Sequence, residues 1–225
     1  YNRVINARQF GSVERRGYTL GGGPSFLPPD AARPDTTYRD ALGLTVGGTA
    51  FDLRHAIGET DDHTWAWIPA HKAICAGDFF IWNFPNAGNP QKVQRYLSDW
   101  GAALREMAAL EPELLLSGHG LPIFGRDRIV QALTDTAELL ETIEDQTLAL
   151  MNQGLPLDTC LHEVQVPAHL ADRPYLRPVY DHPQFLVRNV WRRYGGWYDG
   201  EPDNLLPAPR AQQAREWVAL AGGAG

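Results

Sequence analysis

Short strand patterns followed by one amphipathic helix fill the first half of this chain, and their order restricts it to a layered fold. The segments ALGLTV and TAFDLRHA flank Gly47-Gly48, as expected for a β-hairpin. Further strands are predicted at TWAWIP, AICAG and ELLLSG. Before the last of these, residues 90–111 carry apolar side chains at spacings of three and four, with Pro90 in the first turn, which predicts a helix. This succession indicates an α/β or α+β domain.

The pattern becomes helical after Gly125. The segment GRDRIVQALTDTAELLETIEDQTLALMNQG has a helical apolar stripe and ends near Gly154, and shorter helices are predicted near 157–165 and in FLVRNVWRRYGG. RAQQAREWVALAGG begins another amphipathic helix. We therefore divide the chain into a layered segment, a small helical domain and the start of a further segment, over residues 1–125, 126–209 and 210–225.

Composition excludes several classes of protein. A chain of 225 residues with 44% hydrophobic and 21% charged residues can bury a sizeable core and is not disordered. No apolar run approaches the roughly 18 residues of a membrane span. The net charge of -7 and the dispersed basic residues argue against nucleic acid as a partner. Cys75 and Cys160 are too few for a disulfide framework and favour a reducing compartment, so we expect a cytoplasmic location.

Polar side chains that can bind metals stand where predicted strands end. Glu59 lies in the segment HAIGETDDHTW, Asp78 follows Ala76-Gly77, and His119 stands between two glycines. Catalytic groups collect in such loops because the scaffold fixes the backbone and leaves the side chain accessible. Taken singly, each residue is more typical of a turn, and the chain contains no H-x-H, H-x-x-x-H or C-x-x-C pair.

The order of these segments resembles the second half of the metallo-β-lactamase fold, and in particular the alkyl sulfatase group of that superfamily. In the first of these loops, that group has Glu where the wider superfamily has His, and this chain has Glu59 at the same place. The group's two acidic ligands stand 19 residues apart, as Glu59 and Asp78 do. Four longer segments also resemble the group: PNAGNPQKVQRY, SGHGLPIFGRDRI, LETIEDQTLALMNQG and YGGWYDGEPDNLLP.

The resemblance implies an α/β fold, namely the C-terminal half of an αββα sandwich followed by an all-α dimerisation domain. It also implies a two-zinc hydrolase in which Asp78 bridges the metals and Glu59 and His119 complete their ligand shells. Two such ions would activate a bridging water and orient the substrate's anionic oxygens. Arg95 matches a sulfate-holding arginine of the group. Lys92 or Asn89 would replace its partner arginine.

One motif of the group is missing. The sequence H-x-H-x-D-H, which supplies four ligands to the two-metal site, does not occur in these residues. We expect it upstream of Tyr1, in a longer polypeptide of which this chain is an internal piece. Three ligands do not satisfy two zinc ions that each take about four to five donors. The chain by itself is therefore predicted to bind metal weakly and to have no turnover.

The function implied is zinc-dependent hydrolysis of an alkyl sulfate ester to an alcohol and sulfate. The substrate is a small anionic ester, and the enzyme is expected to be a homodimer. Two alternatives stay open: another hydrolase on the same scaffold, such as a lactonase or phosphoesterase, and a metal-poor dimerising binding protein. Phe80, Trp82 and Phe84 are candidates for an alkyl-chain groove, although aromatic residues are more often core. The histidines assigned to structural or surface roles are His63, His71, His162, His169 and His182.

Overall fold

Six strands form one sheet, and their order in the sheet is their order along the chain. The computed structural model describes residues 34–90 and 92–223. All neighbouring strands are antiparallel except the fourth and fifth, which are parallel. Val46 pairs with Thr49 across the two glycines, so the predicted hairpin is confirmed. The strands are β1 Ala41–Val46, β2 Thr49–His55, β3 Thr64–Ile68, β4 Ala73–Ile81, β5 Leu114–His119 and β6 Ile123–Phe124.

The crossover between the parallel strands contains helix α1, Leu97–Ala109. Its predicted start at Pro90 is wrong, because the backbone is still extended at Tyr96. Tertiary hydrogen bonds hold the residues just before the helix: Gln94 Nε2 donates to the Asn189 carbonyl at 2.9 Å, and Arg95 Nε donates to the Glu59 carbonyl at 3.1 Å. These contacts outweigh the local helical pattern.

The helical segment follows β6. It comprises α2 Arg126–Asn152, α3 Leu157–Glu163, α4 Ala168–Ala171, α5 Pro183–Gly195 and α6 Arg210–Leu220. The long helix α2 is confirmed, and it packs against both α1 and α5. No residue of α6 is buried. The predicted stripe on α2 is buried at Ile129, Leu133, Leu140, Ile143 and Thr147.

One continuous hydrophobic core joins the sheet to the helices. Ile74 and Phe79 of β4, Trp100 of α1, Leu133 of α2 and Leu186 of α5 all belong to it. The division predicted at residue 125 therefore stays a prediction, and residues 1–33 of the first segment lie outside the described part. Both cysteines are free thiols. Within the described ranges, none of the helices combines the length and apolarity needed to cross a membrane.

Candidate active site

The three predicted metal ligands line one cleft of about 580 Å³. Glu59 comes from the loop between β2 and β3, whereas Asp78 and His119 come from the parallel strands β4 and β5. Asp78 does not follow its strand as the pattern suggested, because β4 continues to Ile81. The pairing of β4 with β5 instead shifts register on both sides of Gly77. The lining residues are Glu59, Asp78, Ile81, Trp82, Asn83, Asn86, Lys92, His119, Gly120 and Tyr180.

Asp78 and His119 form a hydrogen-bonded pair at the edge of the two parallel strands. His119 Nδ1 lies 2.9 Å from Asp78 Oδ1. The backbone beside them is tightly packed, since a Cβ added at Gly118 would lie 1.9 Å from Asp78 Oδ1 and 2.7 Å from the Gly77 carbonyl carbon. Glycine at 118 is thus what allows the two strands to bring these side chains together.

Glu59 is held by two partners on the wall of the cleft. Asn86 Nδ2 donates to Glu59 Oε1, and Arg95 Nη2 lies 3.1 Å from the same oxygen. Burial raises the pKa of the Glu59 carboxyl; the positive charge of Arg95 opposes this shift, and the nearby Asp78 adds to it. A group that binds Glu59 in its ionised form must therefore be cationic or donate hydrogen bonds.

The predicted substrate-binding residues occupy different environments. Lys92 lines the cleft. The Asn89 carbonyl accepts a hydrogen bond from the Lys92 backbone N–H at 3.1 Å, so Asn89 belongs to the turn that carries the lysine. Arg95 is only 3% exposed, and besides Glu59 its guanidinium donates to the Asn86 carbonyl. Burial lowers the pKa of Arg95, opposed mainly by Glu59 and then by Asp181. Arg95 thus lies behind the cleft wall, where it contacts Glu59 and the Asn86 backbone.

The aromatic candidates for an alkyl-chain groove differ in how far they are buried. Phe80 and Phe84 are each 1% exposed, so the core alternative is confirmed for them. Trp82 lines the cleft, and its Nε1 donates to the Leu121 carbonyl at 2.6 Å, which ties the end of β4 to the turn between β5 and β6. Tyr180, from the helical segment, completes this side of the cleft.

Sequence reasoning missed several of these residues. Asn86 stands in a segment that carried the family resemblance, so a role for it could have been inferred there. Tyr180 comes from the other half of the chain and had no local signal. His63, which we expected in a structural or surface role, accepts a hydrogen bond at Nδ1 from the Glu59 backbone N–H at 3.3 Å. Burial lowers the pKa of its imidazole, opposed by Asp78 and Asp62.

The donors around the cleft are those that zinc takes in proteins, two carboxylates and one imidazole. Within residues 34–90 and 92–223, however, no group of three or more His, Cys, Asp or Glu side chains is arranged to hold a metal ion. Asp78 is bonded to His119, and Glu59 to Asn86 and Arg95. The described residues therefore do not fit a two-metal centre on their own.

Comparison with known proteins gives similarity over most of the chain. A family model described as alkyl sulfatase dimerisation matches residues 157–225. A linear primary-alkylsulfatase from a Pseudomonas strain is 31% identical over 195 residues, which cover 84% of this chain and 37% of that protein. An (R)-specific secondary-alkylsulfatase from Pseudomonas is 29% identical over 195 residues, covering 80% of this chain and 28% of that protein. The chain therefore spans about a third of the length of these relatives.

A solved structure agrees with the sequence comparison. The stereoselective inverting sec-alkylsulfatase Pisa1 from Pseudomonas superposes with a TM-score of 0.78 at 26% identity, over 85% of this chain and 31% of that one. A superposition over 85% of the chain is too extensive to leave out either the sheet or the helical segment, and the predicted fold class is confirmed. On sequence and on fold, the chain is similar to alkylsulfatases over most of its length, and residues 157–225 match the alkyl sulfatase dimerisation family, so the predicted resemblance is confirmed.

Proposed function

We propose that this chain forms one wall of the active site of a zinc-dependent alkylsulfatase, which hydrolyses an alkyl sulfate ester to an alcohol and sulfate. One observation carries the proposal. Glu59, Asp78 and His119 come from three separate segments and line the same cleft, in a chain that superposes on an alkylsulfatase. A fold alone does not define an activity, but side chains of the expected types converging on one cleft support a specific chemistry.

Glu59, Asp78 and His119 are the proposed zinc ligands and catalytic residues. Two zinc ions take about eight or more donors in total, and these side chains supply three of them. The assignment therefore requires further ligands from outside the described residues. Until those are present, we expect the chain to bind zinc weakly and to show no turnover.

Of the predicted substrate-binding residues Arg95, Lys92 and Asn89, Lys92 is the one proposed to contact the substrate, and the other two are proposed to position groups of the cleft. The Lys92 ammonium lines the cleft and is suited to hold the sulfate oxygens. Asn89 anchors the turn that presents it. Arg95 acts through Glu59, whose carboxylate and backbone carbonyl it holds. Trp82 and Tyr180 line the same cleft and offer an apolar surface to an alkyl chain.

A homodimer is proposed for the intact protein. The family model that matches residues 157–225 is one of alkyl sulfatase dimerisation, which supports self-association through the helical segment. Several large apolar side chains of this segment are exposed, including Trp197, Leu206 and Trp217. Exposed apolar surface of this kind is typical of a protein interface.

The test is a substrate panel applied to the full-length gene product, with and without zinc. We expect zinc-dependent hydrolysis of linear alkyl sulfates. If the protein hydrolyses lactones or phosphate esters and releases no sulfate from alkyl sulfates, it is another hydrolase on the same scaffold and not a sulfatase. A protein that dimerises, retains no zinc and hydrolyses none of these esters would be the metal-poor binding protein.

A further inference from the structure

The imidazole of His63 lies between the Glu59 loop and strand β4, the two segments that carry the acidic side chains of the cleft. Each acidic residue follows a glycine, Gly58 before Glu59 and Gly77 before Asp78. A Cβ added at Gly58 would lie 2.5 Å from His63 Nδ1, and one added at Gly77 would lie 2.9 Å from His63 Nε2. One ring nitrogen therefore faces the Glu59 loop and the other faces β4, and the ring occupies the space between these two segments.

The plane of this ring is fixed by the core. His63 stacks on Phe79 with ring centroids 4.1 Å apart and an interplanar angle of 10°. Phe79 is buried and packs edge-on against Trp100, whose Nε1 donates to the Phe79 carbonyl at 3.0 Å. His63 thus connects the Glu59 loop and β4 to the hydrophobic core, to which Phe79 and Trp100 belong.

Hydrogen bonds attach His63 to the Glu59 loop. Its Nδ1 accepts from the Glu59 backbone N–H, and its own backbone N–H donates to the Thr60 carbonyl at 3.3 Å. Its carbonyl accepts from the Ala56 backbone N–H at 3.0 Å. The loop from 56 to 63 is therefore closed around the side chain that also faces Gly77.

We propose that His63 is a positioning residue that sets the separation between Glu59 and Asp78 by spacing the Glu59 loop from strand β4 at Gly77. The catalytic part of this inference rests on the proposed function, whereas the spacing of the loop from the strand does not. A shift of the loop against β4 would move the two carboxylates relative to each other, and misplaced ligands lose metal affinity and rate.

The experiment compares H63F and H63N with wild type in the full-length gene product. Phenylalanine keeps a ring but has no acceptor, whereas asparagine keeps an acceptor near the position of Nδ1. The matched control is H71N, because His71 is an exposed histidine in the turn Pro69–His71 at the opposite end of β4. Backbone amide exchange of the 56–63 and 77–81 segments is read together with kcat and KM for a linear alkyl sulfate.

For H63F we expect amide exchange at Glu59 to accelerate at least tenfold, and kcat to fall about 10- to 100-fold with KM changed less than threefold. H63N should recover most of the protection at Glu59, while the 77–81 segment exchanges faster than in wild type. H71N should match wild type throughout.

Wild-type exchange at Glu59 and wild-type kcat in H63F would overturn the proposal. If H63F does not fold, H63N decides: unchanged exchange of the 77–81 segment would refute the spacing role. If the wild-type protein hydrolyses no alkyl sulfate, the proposed function fails, and the exchange measurements alone decide whether His63 spaces the Glu59 loop from β4.

Discussion

At the scale of single residues, the cleft depends on small side chains beside functional ones. The chain order of Glu59, Asp78 and His119 was readable from sequence because each stands in a short motif with glycine. The side-chain partners of Glu59 had no such local motif. Asn86 and Arg95 reach Glu59 only through the tertiary structure, and no local pattern encodes such contacts.

Gly118→Ala should destabilise the protein and separate Asp78 from His119. The added methyl would lie 1.9 Å from Asp78 Oδ1 and within 3 Å of the backbone of β4, so β4 or β5 must move. We expect a loss of about 1–3 kcal/mol in the free energy of unfolding, measured by urea denaturation. Gly43→Ala is the control, because nothing lies within 4 Å of a Cβ at that position in β1. Equal stability of the two variants would contradict the packing described at Gly118.

The buried carboxyl of Asp181 should make stability depend on pH. It is 2% exposed and accepts hydrogen bonds from the backbone N–H groups of Gly88 and His182. Burial raises the pKa of Asp181, although these two bonds and the charge of Arg95 oppose the shift. A raised carboxyl pKa means that the folded state binds the proton more tightly than the unfolded state does.

Asp181→Asn removes this titration and isolates its effect. The stability that Asp181 contributes is fully present below its unfolded pKa of about 4 and is lost as the pH rises through the raised folded value. We therefore expect the unfolding free energy of wild type minus that of the variant to fall as the pH rises from about 3.5 to 7. A difference that stays constant or increases over this range would contradict the assignment.

The two lysines of the chain form a natural pair for testing the cleft. Lys92→Gln should raise KM for an alkyl sulfate about tenfold or more, because a charged hydrogen bond to sulfate is worth about 1.5–3 kcal/mol. Lys72→Gln is the control, since Lys72 is exposed and lies 3.8 Å from Glu113 in a surface pair. Steady-state kinetics of the full-length gene product measures both. Equal KM values in the two variants would show that Lys92 does not bind the substrate.

At the scale of elements, sequence periodicity predicted which helices and strands exist better than it predicted where each begins and ends. The β1–β2 hairpin and the long helix α2 were predicted correctly, because each has a local signal, two glycines in one case and a long apolar stripe in the other. The predicted start of α1 and the predicted end of β4 were wrong. Both are decided by tertiary contacts, those of Gln94 and Arg95 before the helix and the parallel pairing with β5 beyond Gly77.

Glu144 of α2 joins three helices and should be important for stability. It is 2% exposed; it accepts hydrogen bonds from the Ser98 backbone N–H and hydroxyl on α1 and from Tyr194 on α5, and it pairs with Arg193. Glu144→Ala leaves these donors without their acceptor and should cost about 3–5 kcal/mol in thermal or urea unfolding.

The matched control for this change is Glu138→Ala on the same helix. Glu138 pairs with the exposed His169, and an exposed pair contributes at most about 1 kcal/mol. If the two alanine variants were equally stable, Glu144 would not connect the helices in the way described.

At the scale of the whole molecule, self-association is the clearest expectation. The helical segment leaves α6 without a buried residue, and Trp217 and Leu220 on it are 71% and 80% exposed. Sedimentation of the chain at micromolar concentrations should give the mass of a dimer. Sedimentation as a monomer at high concentration would contradict the proposed homodimer.

Zinc content and hydrolysis of the full-length gene product, compared between wild type and Asp78→Asn, test the central claim most directly. Wild type should carry two zinc ions per chain and release sulfate from a linear alkyl sulfate. Asp78→Asn should lose bound zinc and at least a hundredfold in rate, because a neutral amide replaces a carboxylate that would hold the zinc. Asp61→Asn, an exposed change in the Glu59 loop, should retain both properties. Wild-type zinc content and wild-type rate in Asp78→Asn would contradict the proposal that this cleft is the active site.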